Sequence, residues 1–172
     1  MSRVRLAELN GRDRAGFAEI CGPLFEGSPW IASRAWDLRP FAGLDALHGA
    51  LVATADGASL SERLSLIRAH PDLVGRMARE GKLAPDARAE QDAADLDELS
   101  EREVSFFDSY NKAYRDKFGF PFVMCARENR KEAILAAFPV RLAHTRDQEI
   151  AAAMREIAAI ARLRLQDRVE EG

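Results

Sequence analysis

The sequence predicts a compact, multi-helix, all-α domain that spans residues 1–172. Apolar side chains recur at helical spacing in most segments, and capping boxes mark helix starts at Ser59, Ser100 and Thr145. No strand alternation, internal repeat or low-complexity linker is visible. A chain of 172 residues with 47% hydrophobic content is long enough to bury a core of its own. A single domain is therefore expected.

The first third of the chain is predicted to form several short helices. Asn10 is the candidate cap of the first of them, and Gly22-Pro23 interrupts its apolar pattern. Another short segment is predicted to begin at Ser28-Pro29 and to end in an extended turn at Arg39-Pro40-Phe41. The apolar positions that define these helices and the next one are Phe17, Ile20, Cys21, Leu24, Leu44, Leu47, Leu51 and Val52.

His70 is predicted to lie at a joint between two helices. Residues 59–69 read as a helix that begins with a Ser59 and Glu62 capping box. A residue before proline is pushed out of the helical region, so this helix should stop at His70. Pro71 suits the first position of a new helix, which Gly81 should end. A fixed backbone at this joint would hold the His70 imidazole in one orientation, as a functional side chain requires. The ordinary alternative is a structural role, in which His70 caps a helix or packs in the core.

The middle of the chain carries a second candidate group, Glu90, on a segment that opens at Pro85. Small residues on the same helix face leave room for a bound molecule beside the Glu90 carboxylate. The ordinary alternative is that Glu90 is a solvent-exposed surface residue without a function. Ser100 then opens a long core helix that Gly119 should stop. The apolar run 120–126 is either a strand or a buried turn, because periodicity does not separate the two.

The last third should contain two more helices. Asn129 with Glu132 starts the first, which Pro139 should kink or end because a mid-helix proline is costly. Thr145 opens the final helix. Its buried face is set by Ile150, Met154, Ile157, Ile160 and Ala161.

Arg164 falls on that apolar face of the final helix and is the third candidate group. A buried arginine must be paired or must hold an anion, since an isolated buried charge is too costly. The alternative is that Arg164 reaches out to solvent near the helix end. Together, His70, Glu90 and Arg164 offer a proton shuttle, a carboxylate to tune it and a fixed cation. This trio is not specific to one reaction.

Composition excludes several classes of function. The formal net charge is −3 and the basic residues are scattered, which argues against nucleic acid or an anionic membrane as the partner. No apolar run approaches the length of a membrane span, and the amino terminus does not resemble a signal peptide. Cys21 and Cys125 have no metal-binding spacing and imply no disulfide framework. A cytoplasmic protein is expected, and the carboxyl terminus is not a peroxisomal address.

Several short motifs resemble one family over nearly the whole chain. They are Ser28-Pro29-Trp30, Arg39-Pro40-Phe41, Ala69-His70-Pro71-Asp72-Leu73, Glu90-Gln91, Phe118-Gly119-Phe120-Pro121-Phe122-Val123 and Arg164-Leu165. In order and spacing they are similar to the 2-oxo-4-hydroxy-4-carboxy-5-ureidoimidazoline (OHCU) decarboxylases. That resemblance implies a helical fold, formation of (S)-allantoin in urate oxidation, no cofactor, no metal site and a homodimer.

The resemblance also implies a set of site residues. The catalytic groups fall on His70, Glu90 and Arg164, with His70 as the acid/base. Substrate contacts fall on Pro71, on the segment Ala87, Arg88, Ala89 and Gln91, and on backbone groups of Phe122, Val123, Met124, Cys125 and Ala126. Ala84 and Ala87 depart from the family, which often has Thr and Ser there, and Ala87 lacks one hydroxyl for the substrate. Pro139 is a third departure, which concerns shape more than chemistry.

Two other functions stay open at this stage. One is a helical interaction module without catalysis, which lacks support from an exposed apolar stripe or basic patch. The other is a metal-dependent hydrolase using His70, Asp72 and Glu90. His70 and Asp72 lie across a proline and not one helical turn apart, so their spacing is not that of familiar metal ligands.

Overall fold

Helices make up most of the chain, as predicted. The computed structural model describes residues 2–172, with the side chains of residues 76 and 77 excepted. The α-helices are α1 (Leu6–Gly11), α2 (Arg14–Cys21), α3 (Trp30–Ala35), α4 (Leu44–Asp56), α5 (Leu60–Ala69), α6 (Arg76–Arg79), α7 (Pro85–Ala93), α8 (Glu101–Phe118), α9 (Lys131–Leu142) and α10 (Arg146–Arg168). The all-α class is thereby confirmed.

A few short elements accompany the α-helices. Single 3-10 turns lie at Gly22–Leu24, Trp36–Leu38 and Ala126–Glu128. Strands β1 (Val4–Arg5) and β2 (Val169–Glu170) form a parallel pair. The sequence predicted no strand, because two residues are too few to leave a visible alternation. Among the described helices, none combines the length and apolar character that crossing a bilayer requires.

The chain forms two compact units. The first contains the chain up to Ala69 together with Ala158–Gly172, and the second contains His70–Ile157. In the first unit, α3 packs against both α2 and α4. Its fully buried side chains include Leu9, Phe17, Leu24, Phe25, Ile31, Leu47 and Leu51.

The second unit is built on α8, which packs against α9. Its core is an aromatic cluster in which the Phe122 and Phe138 rings stack with their centroids 3.9 Å apart. Tyr114 meets Phe122 edge-on at 5.4 Å, a favourable arrangement for two rings. The run 120–126 is therefore a buried, irregular segment and not a strand.

All three predicted capping boxes are present. Ser59 and Glu62, Ser100 and Glu103, and Thr145 and Gln148 each exchange side-chain bonds with backbone N–H groups at 2.9–3.2 Å. Gly119 ends α8 with a φ of 78°, the left-handed conformation that glycine tolerates. The buried face of α10 is also confirmed, since all of its five predicted apolar residues are buried.

Two predicted caps are wrong. Asn10 lies inside α1, and its carboxamide exchanges bonds of 2.9 and 3.0 Å with the backbone of Phe41. Asp13 caps α2 instead, accepting from the Gly16 N–H at 2.8 Å. The Asn129 carboxamide donates to the Cys125 carbonyl, and α9 begins without a side-chain cap. Asn10 thus bonds a backbone group 31 residues away, and Asn129 bonds a carbonyl four residues before it.

One prediction about prolines is wrong, and another is wrong in part. No helix starts at Pro71, because the backbone makes an irregular turn there and α6 covers only Arg76–Arg79. Pro139 does not end its helix, which continues to Leu142, and the expected kink stays a prediction. A proline removes one N–H donor, and the residues on both sides of Pro139 keep the helical conformation.

Candidate active site

His70 is the first residue of the second unit and directly follows α5. Its ring is buried, with 5% of the residue exposed. The predicted end of the helix before His70 is confirmed. Pro71 is half-buried beside it. The imidazole is therefore buried between the end of α5 and the turn that follows it.

The turn after His70 is held by side chains from α7 and α8. The Gln91 Oε1 accepts from the Val74 N–H at 3.0 Å, and Nε2 donates to the Asp72 carbonyl at 3.3 Å. From α8, the Asn111 Nδ2 donates to the Leu73 carbonyl at 2.9 Å. Three consecutive residues of the turn are therefore bonded to two buried carboxamides.

The side chain of Asp72 is occupied by an arginine. Arg115 Nε donates to both of its carboxylate oxygens, at 3.0 and 3.2 Å. Among residues 2–172, leaving aside the side chains of 76 and 77, no three His, Cys, Asp or Glu groups are arranged to hold a metal. The hypothesis of a metal-dependent hydrolase, which requires His70, Asp72 and Glu90 to bind one metal ion, therefore gains no support.

Helix α7 presents two different faces. It packs against Ala126–Glu128, with Ala87 buried and Glu90 half-buried. Arg88 and Ala89 are exposed. On the Arg88 and Gln91 side there is an open cavity of about 390 Å³. Among the residues that the structure describes, those lining it do not include His70 or Glu90.

The segment 122–126 is fixed by bonds to its backbone. Arg141 Nη1 donates to the Val123 carbonyl at 2.5 Å, and Asn129 donates to the Cys125 carbonyl at 2.9 Å. Phe122 is fully buried and its ring lies 4.3 Å from the Arg141 guanidinium carbon. Two backbone carbonyls of this segment therefore already have side-chain partners, and its contribution to substrate binding stays a prediction.

Arg141 belongs to a buried polar network centred on Glu149. The Glu149 carboxylate is fully buried and accepts from Arg141 at 2.7 Å and from the Tyr114 hydroxyl at 2.5 Å. His144 Nδ1 lies 2.9 Å from its other oxygen. Burial and the bond to Glu149 raise the pKa of Tyr114 well above its usual range. The tyrosine is a neutral donor here, and not a base.

Carboxylates surround Cys125. Burial, followed by the charges of Glu128, Glu156 and Glu90, raises the pKa of the Cys125 thiol to about 11. Burial also raises the pKa of Glu156, against the lowering effects of Arg141 and the Cys125 backbone N–H. A thiol in this setting is protonated near neutrality and is not a nucleophile.

Both cysteines are expected to resist alkylation in the native protein. Cys21 is also buried, and burial raises the pKa of its thiol to about 12. The pKa of Cys125 is raised from 9.0 to about 11, which lowers the fraction of reactive thiolate at pH 8. This effect alone should slow alkylation of Cys125 about 100-fold. Mass spectrometry after iodoacetamide treatment measures this, with the urea-unfolded chain as the control. Rapid labelling of native Cys125 would contradict the assignment.

Arg164 lies in the first unit and is paired. It is 3% exposed, and its guanidinium donates to the Glu26 carboxylate at 2.9 Å and to the Pro23 carbonyl at 3.1 Å. The predicted buried position on α10 is confirmed, and the alternative of a side chain reaching solvent is wrong. Charge pairing with Glu26 makes this burial tolerable.

Comparison with known proteins identifies the family. The model of the OHCU decarboxylase family matches residues 10–166 of the chain. The chain belongs to the OHCU decarboxylase family. The OHCU decarboxylase of Haloferax volcanii is 38% identical over 98% of this chain and 98% of its own length. That of Halalkalicoccus jeotgali is 37% identical over 97% of this chain and 93% of its own length.

A solved structure shows the same fold. The crystal structure of an (S)-allantoin synthase superposes with a TM-score of 0.77 at 28% identity. The alignment covers 97% of this chain and 54% of that one, so the chain spans about half of the solved protein. The resemblance inferred from the motifs is thus confirmed at the level of the OHCU decarboxylase family.

Several residues around the candidate site had not been singled out from the sequence. They are Asn111, Arg115, Arg141, Glu149 and Glu156. Asn111 had a signal, because it shares the buried face of α8 with Phe107, Tyr114 and Phe118. A polar residue on an apolar stripe indicates a buried hydrogen bond. Arg115 pairs with Asp72, 43 residues away, and Arg141 and Glu149 pair eight residues apart, which is not a helical spacing that marks an ion pair.

Proposed function

We propose that the chain decarboxylates 2-oxo-4-hydroxy-4-carboxy-5-ureidoimidazoline to (S)-allantoin in urate degradation. The family match over residues 10–166 carries the proposal. The nearly full-length similarity to relatives named for this decarboxylation supports it, as does the buried histidine at the end of α5.

The substrate itself provides the electron sink for the reaction. The ring carbon that bears the carboxylate also bears a hydroxyl and adjoins a ring carbon–nitrogen double bond. As the bond to CO2 breaks, its electron pair forms a carbon–carbon double bond, and the ring nitrogen takes up a proton. No cofactor or metal is then needed to hold the electrons.

His70 is proposed as the acid/base that completes the reaction. It accepts the hydroxyl proton, so that the enol-like intermediate becomes a carbonyl, while a proton is delivered to the neighbouring ring carbon. That carbon becomes the stereocentre of allantoin, so the face from which the proton arrives sets the product's handedness. A buried, fixed imidazole suits this task because both steps require one direction of approach.

Glu90 is proposed to orient the imidazole or to bind the ureido group. It is half-buried on α7, which packs against Ala126–Glu128, and, after burial, its charge contributes to the raised pKa of Cys125. Pro71, the segment 87–91 and the backbone of 122–126 are proposed to line the substrate. Ala87 lacks the hydroxyl that related enzymes often have, so one substrate hydrogen bond must come from elsewhere.

Arg164 is proposed to face atoms of the substrate that become negative. Tight binding of the departing carboxylate would stabilise the ground state, since CO2 is neutral. A cation helps more where charge develops during the reaction. The bonds of Arg164 to Glu26 and Pro23 fix the direction of its guanidinium.

The remaining partners are proposed from the same resemblance. The chain would work as a homodimer in the cytoplasm on a small ureidoimidazoline, without nucleic acid or membrane. The basic residues are scattered and the formal net charge is −3, which supports the absence of a polyanionic partner.

Circular dichroism of the product tests the proposed reaction. Substrate is generated in place from urate by the two upstream activities, and the signal of (S)-allantoin is followed with and without the purified protein. We expect rapid growth of an optically active signal, because spontaneous decay gives a racemate. A trace equal to the protein-free control would reject the proposed activity, and loss of rate with a chelator that zinc restored would reject the cofactor-free mechanism.

A further inference from the structure

The turn that follows His70 has an unfavourable backbone. Val74 has a φ of 55°, a left-handed conformation that a β-branched residue rarely adopts. At the next position, a side-chain carbon added to Gly75 would lie 2.7 Å from the Asp72 Cβ, so only glycine fits without a shift. Strained backbone persists where its surroundings hold it, and it occurs often at functional sites.

Two buried carboxamides hold this turn. Gln91 and Asn111 are 5% and 6% exposed, and between them they bond the N–H of Val74 and the carbonyls of Asp72 and Leu73 at 2.9–3.3 Å. A different backbone conformation would break these bonds and leave the buried carboxamides without partners, which costs free energy. The bonds therefore stabilise the observed conformation of the turn. The position of the turn is thus set by α7 and α8.

We propose that Gln91 and Asn111 are positioning residues that fix the direction of the His70 imidazole through this turn. The inference rests on the proposed function, in which His70 is the acid/base. It also changes the role expected for Gln91, whose amide oxygen and nitrogen both bond the turn. Its side chain therefore acts through His70, and residue 91 lines the substrate only through its backbone.

The inference predicts a specific kinetic pattern for Gln91→Met and Asn111→Leu. Each should lower kcat about 10- to 100-fold, because a small misplacement of a reacting group has effects of this size. KM should stay within about threefold, because neither side chain contacts the substrate. In parallel, nitrogen NMR of the imidazoles should show altered signals for His70, which is one of only three histidines and is identified with a His70→Asn sample.

A milder pair of variants keeps the test usable if the buried variants do not fold. Arg115 and Lys112 of α8 each bond an aspartate near the surface, but only the partner of Arg115, Asp72, belongs to the turn. Arg115→Gln should lower kcat about two- to fivefold and shift the His70 signals, since it loosens one of the three side-chain contacts to the turn described above. Lys112→Gln, the matched control, should change neither.

Other outcomes would overturn the inference. A rise in KM at constant kcat for Gln91→Met would mean that this side chain binds substrate. Wild-type kcat and unchanged His70 signals in the folded variants would mean that the turn does not position the ring. If the wild-type protein makes no (S)-allantoin, the proposed function fails, and the His70 signals alone then decide whether the two carboxamides position the imidazole.

Discussion

Replacing His70 by asparagine is expected to abolish formation of (S)-allantoin while leaving the fold intact. A positioned acid/base contributes about 10²- to 10⁴-fold to a rate, and His70 is the only such group proposed for this site. Asparagine is polar and smaller, and His70 lies between the end of α5 and an irregular turn, so its replacement opens no large apolar cavity. The measurement is kcat by circular dichroism of the product, together with the far-ultraviolet spectrum of the variant.

The matched control for His70 is His48→Gln. His48 lies in α4 of the first unit, where its Nε2 is 2.8 Å from the Ala158 carbonyl. Glutamine retains a donor for that carbonyl, so kcat should stay near the wild-type value. If His70→Asn were to unfold the protein, or to keep full activity, the histidine would be structural and the acid/base assignment would be wrong.

Replacing Glu149 by glutamine is expected to produce the largest loss of stability. Glu149 is fully buried, and the substitution leaves the Arg141 guanidinium, itself only 8% exposed, without its counter-charge. Breaking one partner out of a buried pair costs about 3 to 5 kcal/mol. Urea unfolding measures the loss as a lower midpoint at an unchanged slope.

Asp116→Asn is the control for that experiment. Asp116 pairs with Lys112 on the same unit, but the two side chains are 64% and 76% exposed. The same change from acid to amide should therefore cost only about 0 to 1 kcal/mol. Equal effects of the two substitutions would show that the Glu149 network does not stabilise the second unit.

Local interactions explain what the sequence by itself determined. The capping boxes at Ser59, Ser100 and Thr145 connect residues three apart, so the bonding partners are visible in the sequence. Gly119 and the His70-Pro71 pair act through their own backbone. The apolar face of α10, and with it the burial of Arg164, follows from helical periodicity. Helices, their main ends and the family motifs were predictable for this reason.

Partners that are distant in sequence were decided only by the tertiary structure. Asn10 has the same local signal as a true cap, yet it bonds the backbone of Phe41, 31 residues away, which folding brings close. The turn at Asp72–Val74 replaced a predicted helix because Gln91 and Asn111, 17 to 38 residues away, bond its backbone. Such bonds form only where packing has excluded water and brought the two groups together. The sequence pattern around each residue does not show which distant group will become its neighbour.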